Sequence, residues 1–579
     1  MKNWFITFSI LCFGISVAKL DAQTKQIVST KKFNITGLAR GNFYADRLNQ
    51  SSEIIDSVST PKLNSGHILS DLAFSIRPSK SMEVMAMARI RNDYGGFWGS
   101  GVTFDIRQMY VKGVIGGIVR YQLGDINDRM TKYTLWNQDQ EFLQTTPTIF
   151  KQQFDVLNYD HFYNFNNSWR QQGAATEFAL VFKKFIKEIQ FHGVATRVKA
   201  SDNVANNDRI FSGVNMQLVQ SKFFSFGLNY AGLSDIDGTS KNKELFRNPV
   251  LTGNASFTWS NSNWETFAQT EFGKSKTFIL NNDIVPSKNG KFFELEAAIK
   301  QKKTGIRITG IVKRIDSEFL SPGAQTKRIL FQQLPIAYNR IGNEQVIRPL
   351  TILDLMRESS LCNMQLQAYL MDFSPKYDNI TPYGDATPNR QGSIIKSDWV
   401  SKNKNWVVKA EQLNLQEVRG EGTILPRKFN RTSASLSFTD DKISEKWAKH
   451  IHVGVSYRMD LTKREGTEFY RGVDLSTNVM GVGAEIEVIK NLDILFGYQE
   501  VKYSGFDYTA KRDAYAFIYN FSEYQVDGKE TMIAGGLRYR FGEKSFLSAQ
   551  WNKFDVSDKL IGTSNYKVNQ FMLLYQMSF

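Results

Sequence analysis

The chain has 579 residues, a net charge of +15 from 72 Lys and Arg against 57 Asp and Glu, and only two Cys. Cys12 lies in an apolar amino-terminal run, which leaves Cys362 alone and excludes stapling by an internal disulfide once that run is removed. The basic excess is spread along the chain with no basic helix or nucleic-acid motif, so nucleic acid is not expected as a partner; an anionic surface or anionic solutes fit better.

Lys2 precedes an apolar run from Trp4 to Ala18, and small and polar residues lead into Leu20-Asp21-Ala22-Gln23. A short positive start, an apolar stretch and a small residue at the cut describe a secretory signal peptide. We expect 1–22 to be the leader, with Ala18 the other candidate cut. Residues 23–579 show no Pro-, Gly- or Ser-rich linker and no charge block, so a single domain is expected. No later run is long and apolar enough for a helical membrane span.

From Lys32 onward the apolar residues recur with period two, the spacing of strands with one apolar face. Leu72, Phe74 and Ile76 alternate up to Pro78-Ser79-Lys80, and Met82, Val84, Ala86, Ala88 and Ile90 lead away. Val214, Met216 and Leu218 meet Phe224, Phe226, Leu228 and Tyr230 across Gln220-Ser221-Lys222. Phe293, Leu295, Ala297 and Ile299 meet Ile306, Ile308 and Val312 across Lys302-Lys303-Thr304. Val482, Ala484, Ile486 and Val488 turn at Lys490-Asn491 into Leu492, Ile494, Phe496 and Tyr498. Leu537, Tyr539 and Phe541 turn at Gly542-Glu543-Lys544 into Leu547, Ala549 and Trp551.

Between these hairpins the connections are long. Residues 127–170, 316–392 and 505–529 are the largest, and 48–65, 234–249, 275–290, 416–429 and 461–475 are intermediate. Tight turns at one end and long loops at the other belong to a transmembrane barrel, with the turns periplasmic. If 316–392 and 505–529 are each one excursion, parity gives about 22 strands of roughly 10–13 residues, within a range of roughly 18–24. The expected fold class is all-β: a transmembrane antiparallel β-barrel with short periplasmic turns and long extracellular loops. The excursion 316–392 holds a helix-compatible run, Leu350 to Leu361. Loops this long are usually functional. It is expected either to fold into the lumen with 127–170 and narrow it, or to cap the rim from outside.

The last strand alternates cleanly, with Phe571, Leu573, Tyr575, Met577 and Phe579 on one face. The face opposite the apolar one is charged in many strands: Arg77, Glu83, Arg89, Arg91, Arg120, Glu294, Glu296, Arg307, Lys313, Glu485, Glu487, Arg538 and Arg540. So many charges in a dry core would be prohibitively unfavourable unless all were paired, and a water-filled lumen removes the difficulty. These residues are expected to line the lumen. Cross-pairing that braces the wall is the alternative role for each. Aromatic residues near strand ends, Phe97, Trp98, Trp259, Trp264, Tyr503, Tyr539, Trp551 and Tyr575, fit interfacial girdles.

A final strand ending on Phe579 resembles the closing strand of bacterial outer-membrane barrels, where the terminal aromatic belongs to the assembly signal. The stretch Arg107-Gln108-Met109-Tyr110-Val111-Lys112-Gly113, then Gly116-Gly117 and Arg120-Tyr121-Gln122-Leu123-Gly124-Asp125, resembles a porin hairpin. The Leu-Asp-Ala-Gln region and the loop style resemble outer-membrane barrels of the Bacteroidota. The resemblance implies an outer-membrane location, the barrel assembly machinery and outer-membrane lipid and lipopolysaccharide as partners, and Phe571, Leu573, Tyr575, Met577 and Phe579 as the assembly signal. Receptors of the TonB-dependent kind carry an amino-terminal plug domain, for which a first strand near Lys32 leaves no room.

Catalytic and metal motifs are absent: no Gly-x-Ser-x-Gly, His-Glu-x-x-His or phosphate-binding Gly-Lys-Ser/Thr occurs. His450 and His452 share a strand face, but no nearby acidic or Cys ligand completes a metal site, and a wall or rim role is expected. The chain is therefore not expected to be an enzyme or to hold a cofactor. The leading expectation is a porin-like channel for diffusion of small hydrophilic solutes through a charged lumen narrowed by long loops, with a modest bias toward anions. The alternative is a non-conducting barrel acting as a surface scaffold, or as a subunit of a secretion or adhesion assembly with envelope protein partners.

Overall fold

The computed structural model describes residues 32–50, 62–94, 102–136, 146–161, 171–281, 283–284, 288–326, 341–342, 345–346, 374–440, 450–468, 472–512, 518–561 and 565–579. The leader expected at 1–22, the run 350–361, Cys362, Phe97 and Trp98 lie outside the described residues.

Alternating sequences become long strands that pair in chain order. The first quarter gives β1 (Phe33–Gln50), β2 (Lys62–Ser79), β3 (Met82–Asp93), β4 (Val102–Ile115) and β5 (Val119–Ile126). After a helix, α1 (Thr148–His161), follow β6 (Gln171–Val181), β7 (Glu188–Lys199), β8 (Arg209–Val219), β9 (Phe224–Asp235), β10 (Leu245–Ser260) and β11 (Trp264–Asn281). Then come β12 (Lys288–Gln301), β13 (Ile306–Ile315), a single helical turn α2 (Pro375–Asp378), β14 (Arg390–Val400), β15 (Trp406–Gln416) and β16 (Lys428–Asp440). The last six are β17 (Ile451–Arg464), β18 (Val473–Ile489), β19 (Leu492–Arg512), β20 (Ile518–Gly542), β21 (Ser545–Asp558) and β22 (Tyr566–Ser578).

Each strand is antiparallel to the next, and β22 returns to β1 in a register from Leu38↔Ser578 to Gln50↔Tyr566. The result is a closed 22-strand antiparallel barrel. Closure leaves no unpaired edge, which a bilayer requires of any sheet that spans it. The seam is sealed at the last residue. The backbone of Phe579 exchanges hydrogen bonds with Gly37 at 2.9 and 3.0 Å, and its ring lies over Gly37, where any Cβ would collide with it.

The tight turns read from the sequence all fall at one end of the barrel. Asn491 supplies the left-handed residue between β18 and β19 (φ 68°), and Gly116 and Gly117 (φ 62° and 73°) do so between β4 and β5. Two-residue turns with positive φ match the twist of the flanking strands. The connections from β5 to β6 and from β13 to β14 leave from the other end, and each counts once, as parity requires.

Several expectations are corrected, among them the loop at 275–290, of which 275–281 and 288–290 are strand. Residues 505–529 are not a loop: apart from 513–517, they continue β19 and β20 in unbroken pairing from Gly505↔Val526 to Lys511↔Asn520. Strands also exceed the expected length, reaching 18 residues in β1, β2 and β11 and 25 in β20. Above the apolar band the outer face no longer meets an apolar medium, so the apolar alternation fades while hydrogen bonding goes on. Trp259, Trp264, Tyr539, Trp551 and Tyr575 are exposed, as a girdle requires, whereas Tyr503 points inward and is buried.

Candidate functional site

The two faces of the wall are chemically opposite. On β22, Phe571, Leu573, Tyr575, Met577 and Phe579 face outward, Phe571 with 44% exposure, while Gln570, Met572 and Leu574 between them are buried, Gln570 completely. The same outward apolar face recurs on Ile494 and Phe496, on Phe293, Leu295 and Ile299, and on Leu537, Tyr539 and Phe541. A continuous outward apolar band over a closed sheet defines a transmembrane β-barrel.

Inside, three stretches of the excursions fold back onto the inner wall and onto each other. The first is 127–136. Tyr133 is buried, stacked on Phe292 with centroids 3.8 Å apart, and its hydroxyl donates to Glu294 at 2.6 Å. Lys132 lies 3.1 Å from Glu296 and 3.5 Å from Glu294. Burial pulls the Lys132 ammonium down, but the carboxylates of Glu294, Asp385 and Glu296 more than offset this, and it titrates above the ordinary lysine range. Thr131 donates to Glu271 at 2.7 Å. The second stretch, 316–326, interlocks with the first: Ser321 donates to the Tyr133 carbonyl at 2.7 Å, and the Trp136 N–H to the Gly323 carbonyl at 2.8 Å. Gln325 then reaches the Ala386 carbonyl of the third stretch at 2.9 Å.

That third stretch, 374–389, is tied to the opposite wall. Tyr377 donates to Glu530 at 2.6 Å and Asn379 to Asp507 at 2.9 Å. Buried Arg390, at the start of β14, spends its guanidinium on the backbone carbonyls of Ile380, Asn379 and Asn389 and lies 3.9 Å over the Phe429 ring. Ile380 packs with Ile311, Ile394, Leu413, Leu415 and Phe429.

Helix α1 lies against the inner wall on the other side. Its start is seated on two glycines paired across β18 and β19, Gly483↔Gly497. A Cβ on Gly483 would come within 2.9 Å of Pro147, and one on Gly497 within 3.1 Å of Phe150. Ile149 and Phe150 are buried with Val479, Leu495, Val501 and Met532. Gln153 donates to Gln570 at 2.7 Å and Asn552 to the same oxygen at 3.0 Å. At the far end the Tyr159 hydroxyl bonds Asp71, its carbonyl accepts from Arg107 at 2.7 Å, and its ring lies 5.2 Å from the Arg89 guanidinium.

The charged residues singled out in the sequence lie on the inner, non-apolar strand face, and most are ion-paired. Glu83 takes Arg77 at 2.8 Å and Lys112 at 3.3 Å, Arg89 takes Asp71 at 2.6 Å, Arg91 takes Asp93 at 2.8 Å, and Arg120 takes Glu177 at 3.4 Å. Lys313 donates to the Asp385 carbonyl at 3.3 Å. Arg307 stands between Lys300 and Asp398 in register. At the tight-turn mouth, Arg538 bonds Glu485 and, at 2.8 Å, Asp493. Arg540 lies 3.0 Å from Glu487 and 2.9 Å from Asp493. A cavity of about 550 Å³ opens beside Arg538 and Arg540. His450 joins this cluster through its N–H to Glu487 at 3.1 Å, while His452 meets Thr439 at 2.7 Å. Among the described residues no cluster of His, Cys, Asp or Glu is arranged to hold a metal.

Sequence reasoning did not single out α1, the glycine seat, Asp71, Asp493 or Arg390. Glycines inside otherwise regular strands, Gly483 and Gly497, were the available signal, since they mark close approach of another backbone.

No protein-family model matches the chain, and no curated protein matches it. Among solved structures the chain is similar to OpdO of Pseudomonas aeruginosa (8% identity, TM-score 0.39, 94% of this chain and 98% of that one). It is also similar to OccK9 (OpdG) of Pseudomonas aeruginosa (8% identity, TM-score 0.35, 94% and 99%) and to the P pilus usher (PapC) translocation pore (8% identity, TM-score 0.34, 94% and 100%).

Proposed function

We propose that this chain is a porin-like channel of the outer membrane, passing small hydrophilic solutes by diffusion through a charged lumen. The observation that carries the reading is the opposition of faces: an apolar outer wall on a closed barrel wide enough to take whole chain segments, and an inner wall rich in charge. A dry core has no use for Arg120 and Glu177, which remain half exposed while paired across the inner face. The interlocked stretches 127–136, 316–326 and 374–389, with α1, narrow that lumen from within. The proposed solute path follows the charged inner face, with Arg77, Arg89, Arg91, Arg120, Arg307, Lys313, Arg538 and Arg540 set against Glu83, Glu294, Glu296, Glu485 and Glu487. Because so many of these are paired, bracing accounts for much of their role, and any anion preference is slight. No covalent chemistry is assigned.

The same reading takes 1–22 as a cleaved leader and Phe571, Leu573, Tyr575, Met577 and Phe579 as the signal read by the barrel assembly machinery. The style of leader and loops that resembles Bacteroidota barrels belongs to it as well. Liposome swelling with sugars and organic anions of graded size tests it: uptake should fall steeply with solute size and barely with charge. Equal exclusion of every solute would refute it. One observation favours the rival, a non-conducting scaffold: beneath α1 the inner residues Gln570, Asn552 and Gln550 are fully buried.

A further inference from the structure

Three times on the outer wall a lysine stands directly opposite a lysine of the next strand: Lys428↔Lys463, Lys502↔Lys529 and Lys274↔Lys291. The pairs lie ten to thirteen residues from the tight-turn ends of their strands. At roughly 3.3 Å per residue and a tilt of about 40°, that is on the order of 25–33 Å, at or just beyond the top of an apolar band of about 25 Å. All three pairs therefore sit at the level of lipid headgroups on the long-loop side.

Like charges opposed across a sheet are destabilising unless something lies between them. Two of the pairs have an answer within the chain. Glu500 takes both Lys502 and Lys529 at 2.6 Å, and Lys463 has Asp474 at 3.6 Å. The third has none: among the described residues Lys274 and Lys291 are exposed and form no ion pair. Arg314, opposite Phe293 on the next strand, adds a further exposed cation. The carboxylate at this edge, Asp316, accepts the Lys291 N–H at 3.1 Å and stands 3.9 Å from the Arg314 guanidinium. Leu251 stands level with Lys274 and Phe293 level with Arg314, while Phe272 and Val312 are the next outward residues toward the tight turns; all four are between 45% and 54% exposed.

We propose that Lys274, Lys291 and Arg314 form a binding site for the phosphate of a phosphorylated outer-leaflet lipid, whose acyl chains rest on Leu251, Phe272, Phe293 and Val312. The cation cluster faces away from the lumen, and apolar surface stands beside it and at the next outward position, so the anion that fits carries hydrocarbon. A juxtamembrane cation adds measurably to affinity for an anionic lipid surface. The inference rests on the membrane-spanning orientation given above.

The test uses the full chain in detergent micelles, with diphosphoryl lipid A, its dephosphorylated counterpart and inorganic phosphate as probes, read by native mass spectrometry. The native chain should retain the diphosphoryl lipid in preference to the dephosphorylated one. Lys274→Gln with Lys291→Gln should weaken that retention about tenfold, whereas Lys502→Gln with Lys529→Gln should change it less than twofold. Equal losses in both double variants, no loss in the first, or equal competition by millimolar inorganic phosphate would each overturn the proposal. Heat-dependent gel mobility is scored on the same samples. Chains that fail to run as folded barrels refute the orientation itself, and chains that fold but ignore the lipid phosphate refute only this site.

Discussion

Two rungs of the inner wall, on the same strands and only a few residues apart, have opposite characters. The rung Gly483–Gly497–Ala534–Asn552–Gln570 is small and uncharged, and it is covered by α1. Nearer the tight turns, Glu485, Glu487, Asp493, Arg538 and Arg540 form a charged mesh beside an open cavity. Strand geometry is the same in both, so side chains decide the outcome. Removing Cβ lets a helix approach the backbone and exclude water. Opposed carboxylates and guanidiniums brace one another across strands and leave room for water beside them.

Substitutions should separate these rungs. The largest effect is expected for Arg538→Gln, which leaves Glu485 and Asp493 in a confined site with Arg540, His450 and His452 as nearby basic groups among the described residues. Stranding such carboxylates costs about 3 kcal/mol, read as a lower urea midpoint of the folded barrel in micelles. Gly497→Leu comes next. Overpacking costs about 1–3 kcal/mol, and here it acts on the seat of α1. The helix should become open to protease, and conductance should rise, while the barrel still migrates as folded. Tyr159→Phe removes the hydroxyl held by Asp71 and should cost about 1.5 kcal/mol, as a hydrogen bond to a charged group does, with a smaller gain in protease access. Arg120→Gln breaks a half-exposed pair and should change the urea midpoint by less than about 0.5 kcal/mol. If Arg120→Gln proved as damaging as Arg538→Gln, the division into braced mesh and open lumen would fail.

The wall was legible where one face meets an apolar medium. The outward residues of β22 and β12, and the turns at Lys490-Asn491 and Gly542-Glu543-Lys544, could be read directly, and parity then gave the strand number. Legibility ended where that medium ends. Residues 505–512 and 518–529 are strand whose inner face meets the folded-in segments, with Phe506, Asp507 and Val526 buried there and Asp507 bonded by Asn379, so polar and apolar residues mix and they read as loop. Helix α1 was missed for a related reason: its buried residues Ile149, Phe150, Gln153 and Val156 mix apolar and amide side chains, because the wall they meet does the same. The long-range pairings Tyr159 with Asp71 and Tyr377 with Glu530 join segments far apart in the chain, and no local pattern announces them.

The central claim is that a water path survives beside the inward-folded segments. Single-channel recording of the purified chain in planar bilayers tests it most directly. The account predicts discrete, small conductance steps that grow severalfold when 148–161 is replaced by a short flexible linker. A barrel that inserts but stays electrically silent, both intact and with that replacement, would contradict it.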